Sequence, residues 1–197
     1  MKKTLFISAM ALLSSSAFAQ MNNGYGLSYN EIGFGYSSQK VAVSGTPKTF
    51  NGYGLSASAL MTDIFYLNAG YANINRTESG TKTTLGQTNL GLGFRMPVYN
   101  DTDFNATIGI SSTSVTASDS MSGYALGLGL RSLAISPDVE SSVKYVYQHS
   151  KQGTYTTNKN GLALGLKYKI TGHFNLNGDY FSAKDANITT LGLGYRF

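Results

Sequence analysis

Apolar and polar residues alternate along most of the chain with a period of two, the period at which successive side chains of a β-strand point to opposite faces. One version of the pattern recurs. Residues 90–95 read LGLGFR, 126–131 LGLGLR, 164–169 LGLKYK and 191–196 LGLGYR, with a fainter copy, YGLSAS, at 53–58. The copies lie 37, 36, 38 and 27 residues apart, too irregular for a solenoid but suited to hairpins with connections of variable length. The copies predict strands at about Gly52–Met61, Thr88–Met96, Gly123–Ser132, Gly161–Ile170 and Thr189–Phe197. Five further alternating segments lie between them, at about Asn30–Ser37, Ile64–Ala72, Asp103–Ser111, Asp138–Gln148 and His173–Ser182. The total is ten strands, with eight as the alternative.

The connections alternate in length. Those after the even strands are short: Thr62-Asp63, Pro97 to Thr102, Leu133 to Pro137 and Thr171-Gly172. Those after the odd strands read as longer polar loops, at Gln39–Asn51, Asn73–Gln87, Ser112–Ser122 and Lys151–Asn160. Short turns on one side and long loops on the other predict an all-β fold, a closed antiparallel transmembrane β-barrel with its long loops outside the cell. Ten residues at about 3.3 Å each, tilted by about 45°, reach roughly 23 Å, close to the apolar band of about 25 Å in such barrels.

The two faces of the strands differ as lipid and lumen would. One carries Leu55, Ala57, Leu90, Leu92, Leu126, Leu128, Leu164, Leu166, Leu191 and Leu193, without a charge inside the predicted span. Its ends gather rings: Tyr36, Tyr53, Tyr71, Tyr124, Tyr147 and Tyr180 on the loop side, and Phe65, Phe94, Phe104, Tyr168, Phe174, Tyr195 and Phe197 on the turn side. Two aromatic girdles suit a wall that crosses two membrane interfaces, whereas a soluble sandwich needs neither and carries more charge on its outer face. The opposite face holds glycines and asparagines, and its charges are Glu31, Glu140 and Asp179 against Arg95, Arg131, Lys144, Lys167, Lys169 and Arg196. Arg131 and Glu140 flank one short turn and are expected to pair, and Arg196 is expected to face Glu31 where the last strand closes on the first. These charges fill the lumen with salt bridges, or else line a narrow pore that prefers anions.

The N-terminus sets the compartment. Lys2 and Lys3 precede an apolar run from Leu5 to Leu13, and Ala17-Phe18-Ala19 offers an A-x-A site before Gln20. The run is about half the 20 residues that a membrane helix needs, so residues 1–19 read as a cleaved signal peptide and 20–197 as the barrel domain. The remaining chain has 13 cations and 10 acids, a mild excess that suggests no nucleic-acid partner. There is no cysteine, so neither disulfides nor thiolate metal sites are available. Mean hydropathy is −0.11 and no long apolar stretch follows the leader, which excludes a helical membrane protein but not a barrel of alternating strands.

The closing residues LGLGYRF, Leu191 to Phe197, end on an aromatic after alternating Leu191, Leu193 and Tyr195. They resemble the terminal signal by which the assembly machinery recognises outer-membrane barrels. With the leader and the repeated hairpins, the chain from Asn30 to Phe197 resembles the small bacterial outer-membrane barrels of opacity-protein and surface-attachment type, although many of those have eight strands. The resemblance implies insertion by the barrel assembly machinery into outer-membrane lipid and lipopolysaccharide. It also implies a role in envelope integrity, adhesion at an extracellular ligand, or porin-like passage of small solutes. Closure leaves no free strand edge, so a monomer suffices.

Catalytic readings find little. His149 with Ser150 is similar to the His-x-Ser arrangement of lipid A deacylases, but adjacent strand residues point apart and the following strand offers no carboxylate. A surface protease of omptin type needs acidic pairs and a histidine on an extended upper barrel. Asp119 and Asp185 are isolated, and 178 mature residues leave no room for that extension. His173 sits beside Phe174 at a turn, where interfacial packing explains it. No His/Asp/Glu cluster has metal-ligand spacing and no cofactor is indicated. Lys40, Lys48, Lys82, Lys151 and Lys159 read as solvated loop charges, or as contacts to lipopolysaccharide phosphates.

Overall fold

A computed structural model describes residues 27, 29–43, 46–116 and 118–197. Ten strands follow one another: β1 Glu31–Val43, β2 Thr46–Leu60, β3 Phe65–Glu78, β4 Thr81–Tyr99, β5 Thr102–Val115, β6 Met121–Ser136, β7 Val139–Gln152, β8 Tyr155–Lys169, β9 Phe174–Ala183 and β10 Ala186–Arg196. Each pairs antiparallel with its sequence neighbours, and β10 closes onto β1 through a register running from Glu31↔Arg196 to Val41↔Ala186. The predicted leader, with Ala17 and Ala19, lies outside the described residues.

Within the membrane-spanning part, burial follows the parity expected from the alternation. Ile32, Phe34, Leu55, Leu92, Ile108, Leu128 and Leu193 are exposed on the outer wall, while Glu31, Ser58, Asn105 and Arg131 on the other parity are buried. Both girdles are present, and their rings touch across strands: Phe34 stacks on Tyr53 at 5.6 Å, and Phe174 meets Tyr195 edge-on at 5.3 Å.

The connections after the odd strands are not long loops. Pairing continues outward until β3 and β4 meet at Ser79-Gly80, β7 and β8 at Gly153-Thr154, and β9 and β10 at Lys184-Asp185. Ser79 (φ 49°) and Gly80 (φ 78°) are both left-handed, as a two-residue type I′ hairpin requires, and Asp185 (φ 64°) and Gly153 (φ 58°) turn the other two tips. The barrel therefore rises well beyond the outer girdle, by up to seven residues on β1 and β3, or roughly 16 Å at a tilt of about 45°. The expectation that the chain is too short for an extended upper barrel is overturned. Lys40, Lys48, Lys82, Lys151 and Lys159 accordingly stand on strands rather than in loops.

The extension has its own core. Val41, Val43, Phe50, Ile74, Leu85, Val115, Met121, Val146, Phe181 and Ile188 point inward and bury one another. A lumen dominated by small and ionic groups thus holds only for the half nearer the short turns, and even there Tyr66 of β3 points inward and is buried. The reason is the solvent outside. Where the wall meets hydrocarbon its outer face is apolar, and where it meets water the outer face turns polar and the apolar residues go inside.

Candidate functional site

The charged half of the lumen is built by strand ends that meet at the short-turn side. Arg131, near the end of β6, and Glu140, near the start of β7, face each other across the connection they flank. Arg131 Nε donates to Glu140 Oε1 at 2.6 Å and Nη2 to Oε2 at 2.7 Å, a two-pronged pair in which Arg131 is 0% and Glu140 2% exposed. Lys167 from β8 donates to Glu31 Oε2 from β1, a residue 1% exposed, and Asn177 Nδ2 reaches Glu31 Oε1 at 3.4 Å. Arg196 stands opposite Glu31 in the closing register, yet the carboxylate takes its ion pair from Lys167. Lys144 is buried one turn of the pleat further out, with Asp179 on β9 also on the inward parity. Lys169 sits at the mouth, half-buried, and donates to the Pro137 carbonyl at 2.7 Å.

Two participants were not picked out from the sequence. Asp103, at the start of β5, lies 3.3 Å from Arg95 Nε and is buried. Its parity is that of Asn105 and Thr107, so the alternation already placed it in the lumen; only its position at a predicted strand edge hid it. It raises the acids from three to four against six cations, which brings the lumen closer to neutral than an anion-selective lining would be. The second is Tyr29. It precedes β1, is fully buried, and enters the mouth of the barrel with Leu27. Its ring lies under the guanidinium groups of Arg131 (4.3 Å) and Arg95 (4.8 Å) and packs on Tyr66 at 5.0 Å. Its hydroxyl donates to Asp103 Oδ2 at 2.9 Å, and its carbonyl accepts from Ser58 Oγ at 3.0 Å. Tyr29 keeps the inward parity of Glu31 but lies outside the strand, which is why a reading of alternation within strands passes over it.

The space left around this network is small. A cavity bounded by Glu140, Ser142, Lys167, Asn177 and Asp179 measures about 10 Å³, room for one water. Further out, Gln39 and Gln87 bond side chain to side chain across the lumen at 3.1 and 3.3 Å beside the apolar core.

On the outer wall, His149 stacks on Tyr124 with ring centroids 4.9 Å apart, and its Nδ1 lies 2.8 Å from Asn158 Oδ1. Ser150 points into the lumen and is buried, so the two side chains lie on opposite faces of β7. His173 Nδ1 lies 3.0 Å from the Arg196 carbonyl, and its ring stacks on Tyr195. Among the described residues no three His, Cys, Asp or Glu side chains are grouped to hold a metal ion.

Among solved structures, the attachment invasion locus protein Ail of Yersinia pestis is 16% identical over 85% of this chain and 99% of its own, with a TM-score of 0.42. A KdgM porin is 12% identical over 84% and 99%, with a TM-score of 0.47. Neisserial surface protein A is 11% identical over 85% and 96%, with a TM-score of 0.42. Comparison with curated protein sequences gives no match. The family model of the outer membrane protein beta-barrel domain matches residues 5–197, and the chain belongs to that family, as an integral barrel of the bacterial outer membrane.

Proposed function

We propose that this protein is a non-conducting barrel with a structural or surface-interaction role: it anchors a rigid, water-exposed extension to the outer membrane and offers it to the envelope or to an extracellular ligand. The observation that carries this reading is the burial of the side chains that would line a pore. Arg131, Glu31, Glu140 and Lys167 are almost wholly buried, at 0–4% exposure, as are Ile74, Leu85 and Ile188 above them. Residues lining a hydrated passage would be wetted, and charges without water need partners, as these have. Two unlike seals lie in series, an ionic one capped by Tyr29 and an apolar one above it. In this reading residues 1–19 are an export signal cut after Ala19, insertion proceeds through the barrel assembly machinery, and Leu191, Leu193, Tyr195 and Phe197 form the recognised terminal strand. A single barrel suffices. No catalysis is assigned: the imidazole of His149 and the hydroxyl of Ser150 cannot meet without reversing the parity of β7.

Planar-bilayer recording of the folded, purified protein tests the proposal. The expected trace is flat apart from insertion noise. Steady, reproducible single-channel steps, above all anion-selective ones, would replace it with the narrow-channel reading.

A further inference from the structure

The outer girdle is not continuous. Tyr36, Tyr53 and Tyr71 supply it on β1 to β3, and Tyr124, Tyr147 and Tyr180 on β6, β7 and β9. Over the adjacent strands β4 and β5 there is no ring at this height. The outward residues there are Leu90 and Ile110, with Thr88 and Ser112 one step further out, in register with one another. Small side chains between two tyrosine-bearing strands leave a groove of about 670 Å³ on the outer wall, within the roughly 300–1,000 Å³ of ordinary small-molecule sites.

The groove is graded from end to end. Its floor, toward mid-membrane, is Leu90, Ile110 and Tyr124; its outer rim is Thr88, Ser112, Ser122 and Lys151, with His149 at the side. None of its lining residues is a carboxylate. Lys151 is exposed, pairs in register with Ser122, and projects outward like His149, two residues before it. The imidazole is fixed before any ligand arrives: Tyr124 stacks on it and Asn158 engages Nδ1, which leaves Nε2 as its remaining polar edge. Directly below, the wall has a second recess of about 400 Å³, where Ala106 stands between Phe94 and Leu128 and the floor is apolar throughout. The two recesses share β4 to β6 and follow one another down the bilayer.

An apolar trough ending in hydroxyl groups and one cation, at the outer water interface and facing lipid, complements an amphiphile with an acyl chain, a hydroxylated head and a phosphate. We infer that the wall of β4 to β7 is a seat for one lipid A unit of lipopolysaccharide, its phosphate on Lys151, its sugar against His149, Ser112 and Ser122, and an acyl chain along Leu90 and Ile110 toward Ala106. Lys82, further out on β4 and not part of the groove, gives a matched control cation. The inference rests on the outer-membrane reading but not on a closed lumen, so conductance and lipid preference fail independently.

The test is native mass spectrometry of the full protein, extracted from outer membranes in mild detergent and titrated with bisphosphorylated lipid A, dephosphorylated lipid A and phosphatidylglycerol. Wild type is expected to bind the bisphosphorylated form at least tenfold more tightly than either of the others. Lys151→Gln should abolish that preference and Lys82→Gln preserve it, while Ser112→Trp, which fills the groove, should weaken all lipid A binding. Heat-modifiable gel migration confirms that each variant is folded. Unchanged preference in Lys151→Gln, unchanged binding in Ser112→Trp, equal affinity for phosphatidylglycerol, or a wild-type dimer that Ser112→Trp dissociates would each overturn the assignment.

Discussion

Removing the carboxylate of Glu140 should destabilise the barrel more than removing its whole ion pair. In Glu140→Ala the guanidinium of Arg131 keeps the Tyr29 ring at 4.3 Å but loses both charge-assisted hydrogen bonds, at a site with no access to bulk water. Breaking one side of such a buried pair costs about 3–5 kcal/mol. Replacing both partners, as Arg131→Met with Glu140→Leu, removes the desolvation burden together with the attraction. The remaining loss is the cation–π contact to Tyr29, about 0.5–2 kcal/mol. The double variant should therefore be the more stable of the two, by about 1–4 kcal/mol. Urea unfolding in lipid vesicles, followed by far-ultraviolet circular dichroism or by emission from the 14 tyrosines, reads this directly, since no tryptophan competes. With a urea dependence of about 1–3 kcal/mol per molar, the single variant's midpoint falls by about 1 M or more. A single variant within experimental error of wild type, or a double variant at least as unstable as the single, would refute the claim that these charges are buried and mutually dependent.

The other expectations are simpler. Ile74→Ala, in the fully buried core of the extension, should cost about 2–5 kcal/mol and lower the temperature at which the folded gel band disappears. A side chain at Gly93 would run into the ring of Tyr66, which shares a cluster with Tyr29, so Gly93→Val should cost about 1–3 kcal/mol and expose the mouth to tyrosine-selective labelling. Tyr29→Ala alone should stay electrically silent, because the apolar core still closes the outer half; conductance in that variant would show that the mouth is the only seal. At the tips, the Lys48 ammonium bonded to Glu78, with Arg76 beside it at 2.9 Å, holds the Glu78 carboxyl below the usual carboxylate range. A lowered folded-state value means that this contribution is present above the unfolded pKa and is lost as pH falls through the folded one. Backbone hydrogen exchange at residues 46–50 and 75–82 should accelerate relative to β9 as pH drops below about 4, once intrinsic rates are corrected.

The membrane-spanning wall could be read from the chain because hydrocarbon imposes one rule on all ten strands. Leu90, Leu126, Leu164 and Leu191 repeat that rule, and Arg131 and Glu140 sit where it leaves only the lumen for a charge. The extension was missed because beyond the girdle the rule inverts. Lys40 and Lys82, on the outward parity, look like loop residues to an eye tuned to apolar outer faces, while Val41, Phe50, Ile74, Leu85 and Val115 continue the inward parity of Glu31 and Arg95 without a break. A search for period two regardless of sign would have found them. Tyr29 is different in kind: it keeps the inward parity of Glu31 but precedes β1, and its partners follow from the shape of a mouth that several strands enclose.

The ion pairs at the hairpin tips bear on how the protein enters its membrane. Each outer tip has to be carried through hydrocarbon during insertion, where an unneutralised lysine or arginine costs about 2–4 kcal/mol at the midplane. Lys48 belongs to the first hairpin, whereas Arg76 and Glu78 belong to the second, so the bridge joins two tips that are separate in sequence. Glu78 already has Arg76 as a partner within its own tip, so the net charge carried across is the same whether the two tips cross together or in turn; the bridge instead gives Lys48 a partner from the neighbouring hairpin. Because the ladder between β2 and β3 ends at Asn51↔Asn75, that contact joins the first two hairpins where backbone pairing between them has stopped.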